Sequence, residues 1–149
     1  MAFAYIREAN IWYQDRGNRG EAIVLHHGHT ASEENLQTLG SKLEKQHRLI
    51  SMESRGVGRS QHTREGYSLY SHAHDIVSLM DYLKINSFNY IGHSMGGGLG
   101  LLLAINYPKR VKRLILLAPI PSSGYRADKA FVRKRNIFRS VSYTHLRAH

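Results

Sequence analysis

The chain has 149 residues, 42% hydrophobic and 21% charged, with no cysteine and a formal net charge of +10. That length and apolar content suit one folded domain and exclude a disordered chain, while the missing thiols exclude disulfides, thiolate metal sites and cysteine nucleophiles. No apolar run approaches the roughly 20 residues of a membrane span, and the first ten residues lack the basic and apolar regions of a secretory signal, so a cytoplasmic location is the default expectation.

In chain order, residues 3–7 and 11–14 read as two short strands of a hairpin, and Gly17-Asn18-Arg19-Gly20 as the turn that follows. Residues 22–25, Ala-Ile-Val-Leu, are a continuous apolar run that ends at His27-Gly28, the pattern of a strand buried on both faces of a parallel sheet. Ser32, with Glu33 and Glu34 behind it, reads as the N-cap of a helix running to about Lys45. Residues 48–52 form the next strand and residues 53–60 a glycine-punctuated loop. Ile76, Val77, Leu79, Met80 and Leu83 recur at helical spacing within 69–83. Residues 88–91 are a short strand, 95–107 a helix stopped by Pro108, and 114–118 a strand ended by Pro119. This alternation predicts an α/β fold with a mostly parallel sheet and helices on both faces.

Between the strand at 88–91 and the helix after it stands Gly92-His93-Ser94-Met95-Gly96. A sharp strand-to-helix turn holds the serine of such a G-x-S-x-G sequence in a strained conformation, and the residues two before and two after must be small for the chain to close on itself. The turn lifts the Ser94 hydroxyl above the sheet, and the helix that opens at Met95 aims its N-terminal amides at an oxyanion formed there. As a string the pattern is weak; its position between a buried strand and a helix gives it force. His27-Gly28-His29-Thr30 follows the strand at 22–25, where this type of site takes its second oxyanion donor. The backbone N–H groups of His29 and Met95 are therefore the expected pair. The histidine side chains of that loop are expected to contact substrate or solvent and not to act directly in catalysis.

Ten histidines raise the question of a metal, but they fall singly or in short clusters, with neither an HExxH helix nor a carboxylate-rich cluster, so neither metal nor cofactor is expected. The basic residues are spread along the chain; the one dense cluster, Arg126, Lys129, Arg133, Lys134, Arg135 and Arg139, alternates with Phe131, Val132, Ile137 and Phe138 as on a surface helix. The expected partner is a small-molecule substrate, with no nucleic acid and no membrane.

The sequence resembles the α/β-hydrolase superfamily, in its esterase, peptidase and carbon–carbon-bond hydrolase branch. The resemblance is carried by Asn10-Ile11-Trp12-Tyr13-Gln14-Asp15-Arg16-Gly17, His27-Gly28-His29-Thr30-Ala31-Ser32, Ser54-Arg55-Gly56-Val57-Gly58-Arg59-Ser60 and Gly92-His93-Ser94-Met95-Gly96-Gly97. The third segment is similar to the family's Asp-x-Arg-Gly-x-Gly-x-Ser loop, with Glu53 where Asp is usual, a change expected to bear on loop packing more than on chemistry. A serine at position 94 sets the chain apart from the dehalogenases and epoxide hydrolases of the superfamily, which use an aspartate there. The resemblance implies a serine hydrolase whose triad runs Ser, then Asp or Glu, then His in chain order, with the last two on loops after later strands.

On that pattern residues 1–120 are the N-terminal part of the hydrolase core, cut after the strand that follows the nucleophile helix, and 121–140 the start of a lid. Asp128, the only acid after Pro119, lies in the basic helical stretch and not at a strand end, so it is not taken as the triad acid. Val141-Ser142-Tyr143-Thr144-His145-Leu146-Arg147-Ala148-His149 resembles a one-frame translation of a transposase adaptor used in library preparation. The expectation is that 141–149 are non-native, so that His145 and His149 are no triad candidates, and that these 149 residues by themselves have little activity. A ligand-binding protein on the same fold is the alternative from another class, and a basic interaction module built on residues 126–139 a third.

Overall fold

A computed structural model of the chain describes residues 2–29 and 31–121. The sheet has six strands, β1 (Ala2–Ile6), β2 (Ala9–Arg16), β3 (Ala22–His26), β4 (Arg48–Met52), β5 (Phe88–His93) and β6 (Val111–Leu117), in the spatial order β1-β2-β4-β3-β5-β6. β1 and β2 form an antiparallel hairpin, and β2 runs antiparallel to β4. β4, β3, β5 and β6 are mutually parallel. The helices are α1 (Gln37–Leu43), α2 (Leu69–Tyr82) and α3 (Met95–Asn106), and a 3-10 turn, Glu33–Leu36, leads into α1.

Tertiary pairing accounts for most departures from the sequence-based boundaries. β2 extends on to Arg16 because its far half is paired with β4 from Tyr13↔Met52 to Arg16↔Leu49. Arg7 and Glu8, with φ of 44° and 61°, make the two-residue turn of the hairpin in place of a longer loop. β6 begins at Val111 because that residue pairs with Phe88, although Lys112 and Arg113 interrupt the apolar run; both reach the Glu21 carboxylate, at 2.8 and 2.7 Å. The expected single helix from Ser32 opens instead as the 3-10 turn, where the Ser32 N–H donates to the Asn35 side chain at 3.0 Å.

The chain steps from β3 through α1 to β4, then passes back over β3 through α2 to β5, and continues through α3 to β6. Right-handed crossovers taken in opposite directions put their helices on opposite faces. Ile23, Leu25, Leu49 and Ile91 accordingly pack with Leu36, Leu39 and Leu43 on one face. Val24, Ile50, Met52, Phe88 and Tyr90 pack with Ile76, Leu79, Met80, Leu99 and Leu103 on the other. The direction of travel reverses between β3 and β5, and a crevice opens outside their carboxyl ends, the place where open α/β sheets bind ligands.

Candidate active site

Ser94 stands at the carboxyl end of β5, immediately before α3, with φ 54° and ψ −110°. A non-glycine residue there carries backbone strain of about 1–3 kcal/mol, held in place only because its neighbours fix it. The Ser94 N–H donates to the Leu117 carbonyl at 2.9 Å, and the Ser94 carbonyl accepts from Gly98 at 3.2 Å and Ile120 at 3.0 Å, so the end of β6 and the residues after it clamp the turn. A side chain on Gly92 would collide with the backbone of Gly96. One on Gly96 would lie 2.6 and 2.7 Å from the carbonyl oxygens of His26 and His27. The sequence requirement for small residues on either side of the serine thus has two physical origins, one within the turn and one against the loop after β3. Beneath the turn the buried Tyr90 hydroxyl donates to the Gly96 carbonyl at 2.9 Å. Burial holds that phenol well above its ordinary pKa, so it remains a donor.

The facing loop is held by imidazoles. His27 Nδ1 lies 2.6 Å from the Gly28 carbonyl, and its Nε2 accepts the Ser54 N–H at 3.0 Å, which fixes the proton on Nδ1. His26 Nδ1 lies 3.1 Å from the His27 carbonyl; its Nε2 accepts from the Ser54 hydroxyl at 3.2 Å. The two rings stack with centroids 4.8 Å apart. Burial pushes His27 below its ordinary pKa and His26 further, and the neighbouring His27 adds to the shift at His26, so both are neutral donor–acceptor links. The expectation that the side chains of this loop meet substrate or solvent is therefore corrected for His27, which like His26 before it is buried and committed to Ser54 and the backbone; His29 is exposed. The Gly28 carbonyl also accepts from Ala31 at 3.3 Å. Because that carbonyl shares its trans peptide with the N–H of His29, the two bonds orient the expected oxyanion donor.

The loop after β4 supplies the third wall. The buried Glu53 carboxylate accepts from the Arg59 backbone at 2.6 Å and its guanidinium at 2.7 and 3.1 Å. Burial by itself would raise the carboxyl pKa, but the hydrogen bonds and charge of Arg59 outweigh it and hold the pKa below the usual range. Glu53 thus closes its own loop, as expected of its packing role. Arg55 grips Asp75 of α2 at 2.9 and 3.1 Å, and Asp75 also pairs with Arg7 of the hairpin turn at 2.9 Å. A cleft of about 440 Å³ opens between His29, Arg55, Gly56, Val57, Tyr67, His72 and Met95. It takes in both residues assigned as oxyanion donors, and Met95 follows Ser94 directly.

Ser94, His29 and Met95 are brought to one end of the sheet as the sequence suggested. Ser54, Tyr90, Tyr67 and His72 escaped that reading; only Ser54 lay inside a recognised motif, and the roles of the others depend on crossings between distant elements. Among the described residues no helix is long and apolar enough to cross a membrane, and no group of three or more potential ligands gathers as for a metal. Asp128, the basic stretch at 126–139, all but the first residue of the lid assigned to 121–140 and the 141–149 tail lie outside the described residues.

A family model described as alpha/beta hydrolase fold matches residues 21–141. The chain is 32% identical over 122 residues to a non-heme chloroperoxidase of Streptomyces lividans, covering 80% of this chain and 44% of that protein. It is 33% identical over 108 residues to a 2-hydroxymuconate semialdehyde hydrolase of Pseudomonas putida, covering 71% and 38%. Among solved structures, a meta-cleavage product hydrolase from Pseudomonas fluorescens IP01 superposes with a TM-score of 0.77 at 27% identity, covering 86% of this chain and 47% of that one. The chain spans less than half the length of these relatives. Fold, turn geometry and family match agree: the chain belongs to the α/β hydrolase fold family, a family of hydrolase enzymes.

Proposed function

We propose that Ser94 is the nucleophile of a serine hydrolase acting on a carbonyl of a small-molecule ester, amide, thioester or similar substrate. The observation that carries this reading is the strained φ of Ser94 on a strand-to-helix turn, maintained by glycine packing on both sides. The serine oxygen adds to the carbonyl carbon, and the carbonyl electrons move to an oxygen received by the backbone N–H groups of His29 and Met95. The proton lost from the Ser94 hydroxyl on attack passes to the base and from it to the leaving group as the intermediate collapses, and water then releases the acyl group and restores the hydroxyl.

The buried imidazoles His26 and His27 are occupied by Ser54 and the backbone, which argues against either as the base for Ser94. We assign the base and its acid to positions outside the described residues. The described residues by themselves are therefore expected to turn over esters several powers of ten more slowly than a serine hydrolase with its triad assembled. The test is fluorophosphonate labelling and p-nitrophenyl ester turnover by the product of the longest open reading frame containing this sequence, beside its Ser94→Ala variant. Labelling at Ser94 with turnover lost in the variant is expected. Turnover that survives in Ser94→Ala overturns the assignment. Specific ligand binding by a Ser94 that never labels would favour the non-catalytic alternative on the same fold.

A further inference from the structure

Ser60 closes the glycine-punctuated loop after β4, is 2% exposed, and takes no part in attack on a carbonyl. Its hydroxyl oxygen accepts the Trp12 N–H at 2.9 Å, and its proton is donated to the Glu53 carbonyl at 2.6 Å. That carbonyl shares a trans peptide with the Ser54 N–H, which donates to His27 Nε2 at 3.0 Å. With Nε2 an acceptor, the ring proton sits on Nδ1 and is donated to the Gly28 carbonyl, 2.6 Å away. The next trans peptide carries the N–H of His29. Donor therefore follows acceptor at every link from β2, through the loop after β4, to the backbone group assigned as an oxyanion donor.

A chain that only pinned the loop would serve with its bonds in either direction. This one runs one way, and it is dry: Trp12, His27, Glu53, Ser54 and Ser60 are each at most 2% exposed, so water neither competes for the bonds nor screens them. In such a head-to-tail series each group that accepts a bond becomes a stronger donor, by about 10–30% per bond. The two links at 2.6 Å fall on the Glu53 and Gly28 carbonyls, the peptides whose N–H groups carry the chain onward. Burial, which outweighs the pull of the Glu53 carboxylate, holds His27 neutral and so keeps Nε2 an acceptor.

We propose that Ser60, Ser54 and His27 form a polarising relay that strengthens the His29 N–H as negative charge develops on the substrate oxygen, with Ser60 and His27 as positioning residues. Its effect on rate rests on Ser94 being the nucleophile; the relay itself does not. In the product of the longest open reading frame, His27→Gln keeps a side-chain oxygen for the Ser54 N–H but offers Gly28 no ring donor. It is expected to lower kcat for p-nitrophenyl butyrate about tenfold with KM unchanged. Ser60→Ala, further back along the chain, is expected to lower kcat about threefold, again with KM unchanged. Losses confined to KM in both variants overturn the proposal.

A second measurement reads the chain directly. The Nδ1 proton of His27, identified by its absence from the His27→Gln spectrum, is followed by NMR as butylboronic acid is added to the parent protein, where it forms a tetrahedral anion on the reactive serine. Movement downfield on adduct formation is expected, and movement upfield in unliganded Ser60→Ala. A proton unmoved by the adduct, or unmoved by Ser60→Ala, overturns the relay. If no adduct forms, or if Ser94→Ala gives the same shift with the boronic acid, the nucleophile reading fails, and the Ser60→Ala comparison by itself judges the relay.

Discussion

The two loops that meet around Ser94 keep their shapes by different means. The turn after β5 is held by contact: glycines pressed against backbone, and a serine forced to positive φ. The loop after β3 is held by polar links, in which two buried imidazoles join carbonyls of their own loop to the hydroxyl and amide of Ser54. Contact is indifferent to pH and intolerant of a single methyl group. Imidazole links tolerate shape changes better and fail when protonated. The geometry around Ser94 therefore rests on two unlike supports, which different perturbations separate.

The largest effect is expected at the point where the loops touch. Gly96→Ala places a methyl group against the carbonyls of His26 and His27, which neither loop can move, and is expected to destabilise the fold by about 3 kcal/mol in urea unfolding. A loss no larger than that of an average surface substitution would remove the steric half of the contrast. Next, His27→Leu strands the Ser54 N–H and one acceptor bond at Gly28, for a loss of about 2 kcal/mol by the same assay.

Acid is expected to act on the polar support alone. His26 and His27 have folded-state pKa values below their unfolded value near 6.5, so below that pH the unfolded chain binds more protons. Their contribution to stability is complete above pH 6.5 and is lost as pH falls towards the folded values, at no more than about 1.4 kcal/mol per pH unit for each ring. Urea midpoints at pH 7.5 and 5.5 should differ accordingly, and His26→Asn should reduce the difference while leaving the part due to His27. Equal midpoints in the parent chain would sink the idea. The smallest effect has the opposite sign: Ser94→Gly relieves the positive φ and is expected to stabilise by about 1 kcal/mol net of glycine's greater unfolded-state freedom, whereas Ser94→Ala, which keeps a Cβ, is not.

Much of the fold was legible because apolar runs such as residues 22–25 must be buried on both faces, and because Pro108 and the glycines around Ser94 punctuate the chain. The turn at Ser94 was legible for the same reason: so sharp a strand-to-helix turn demands small residues at fixed offsets. What the sequence could not supply was partnership across elements. Nothing local marks His27 as the ligand of Ser54, 27 residues on, or Tyr90 as the support of Gly96. The true extents of β2 and β6 were likewise set by strands elsewhere in the chain, and Lys112 and Arg113 masked the start of β6 until Glu21 was placed beside them.

Trp12, the only tryptophan of the chain, is 2% exposed, and the Arg59 guanidinium lies 3.4 Å above its ring. Its backbone N–H donates to the Ser60 hydroxyl at 2.9 Å, and its carbonyl accepts from Glu53 at 3.1 Å, so both ends of the loop that carries Arg55 are fastened to this one residue. The molecule therefore contains its own optical gauge of the cleft wall: a guanidinium that slides off the indole changes the emission of a single, unambiguous fluorophore, and ligand entry can be followed without any label.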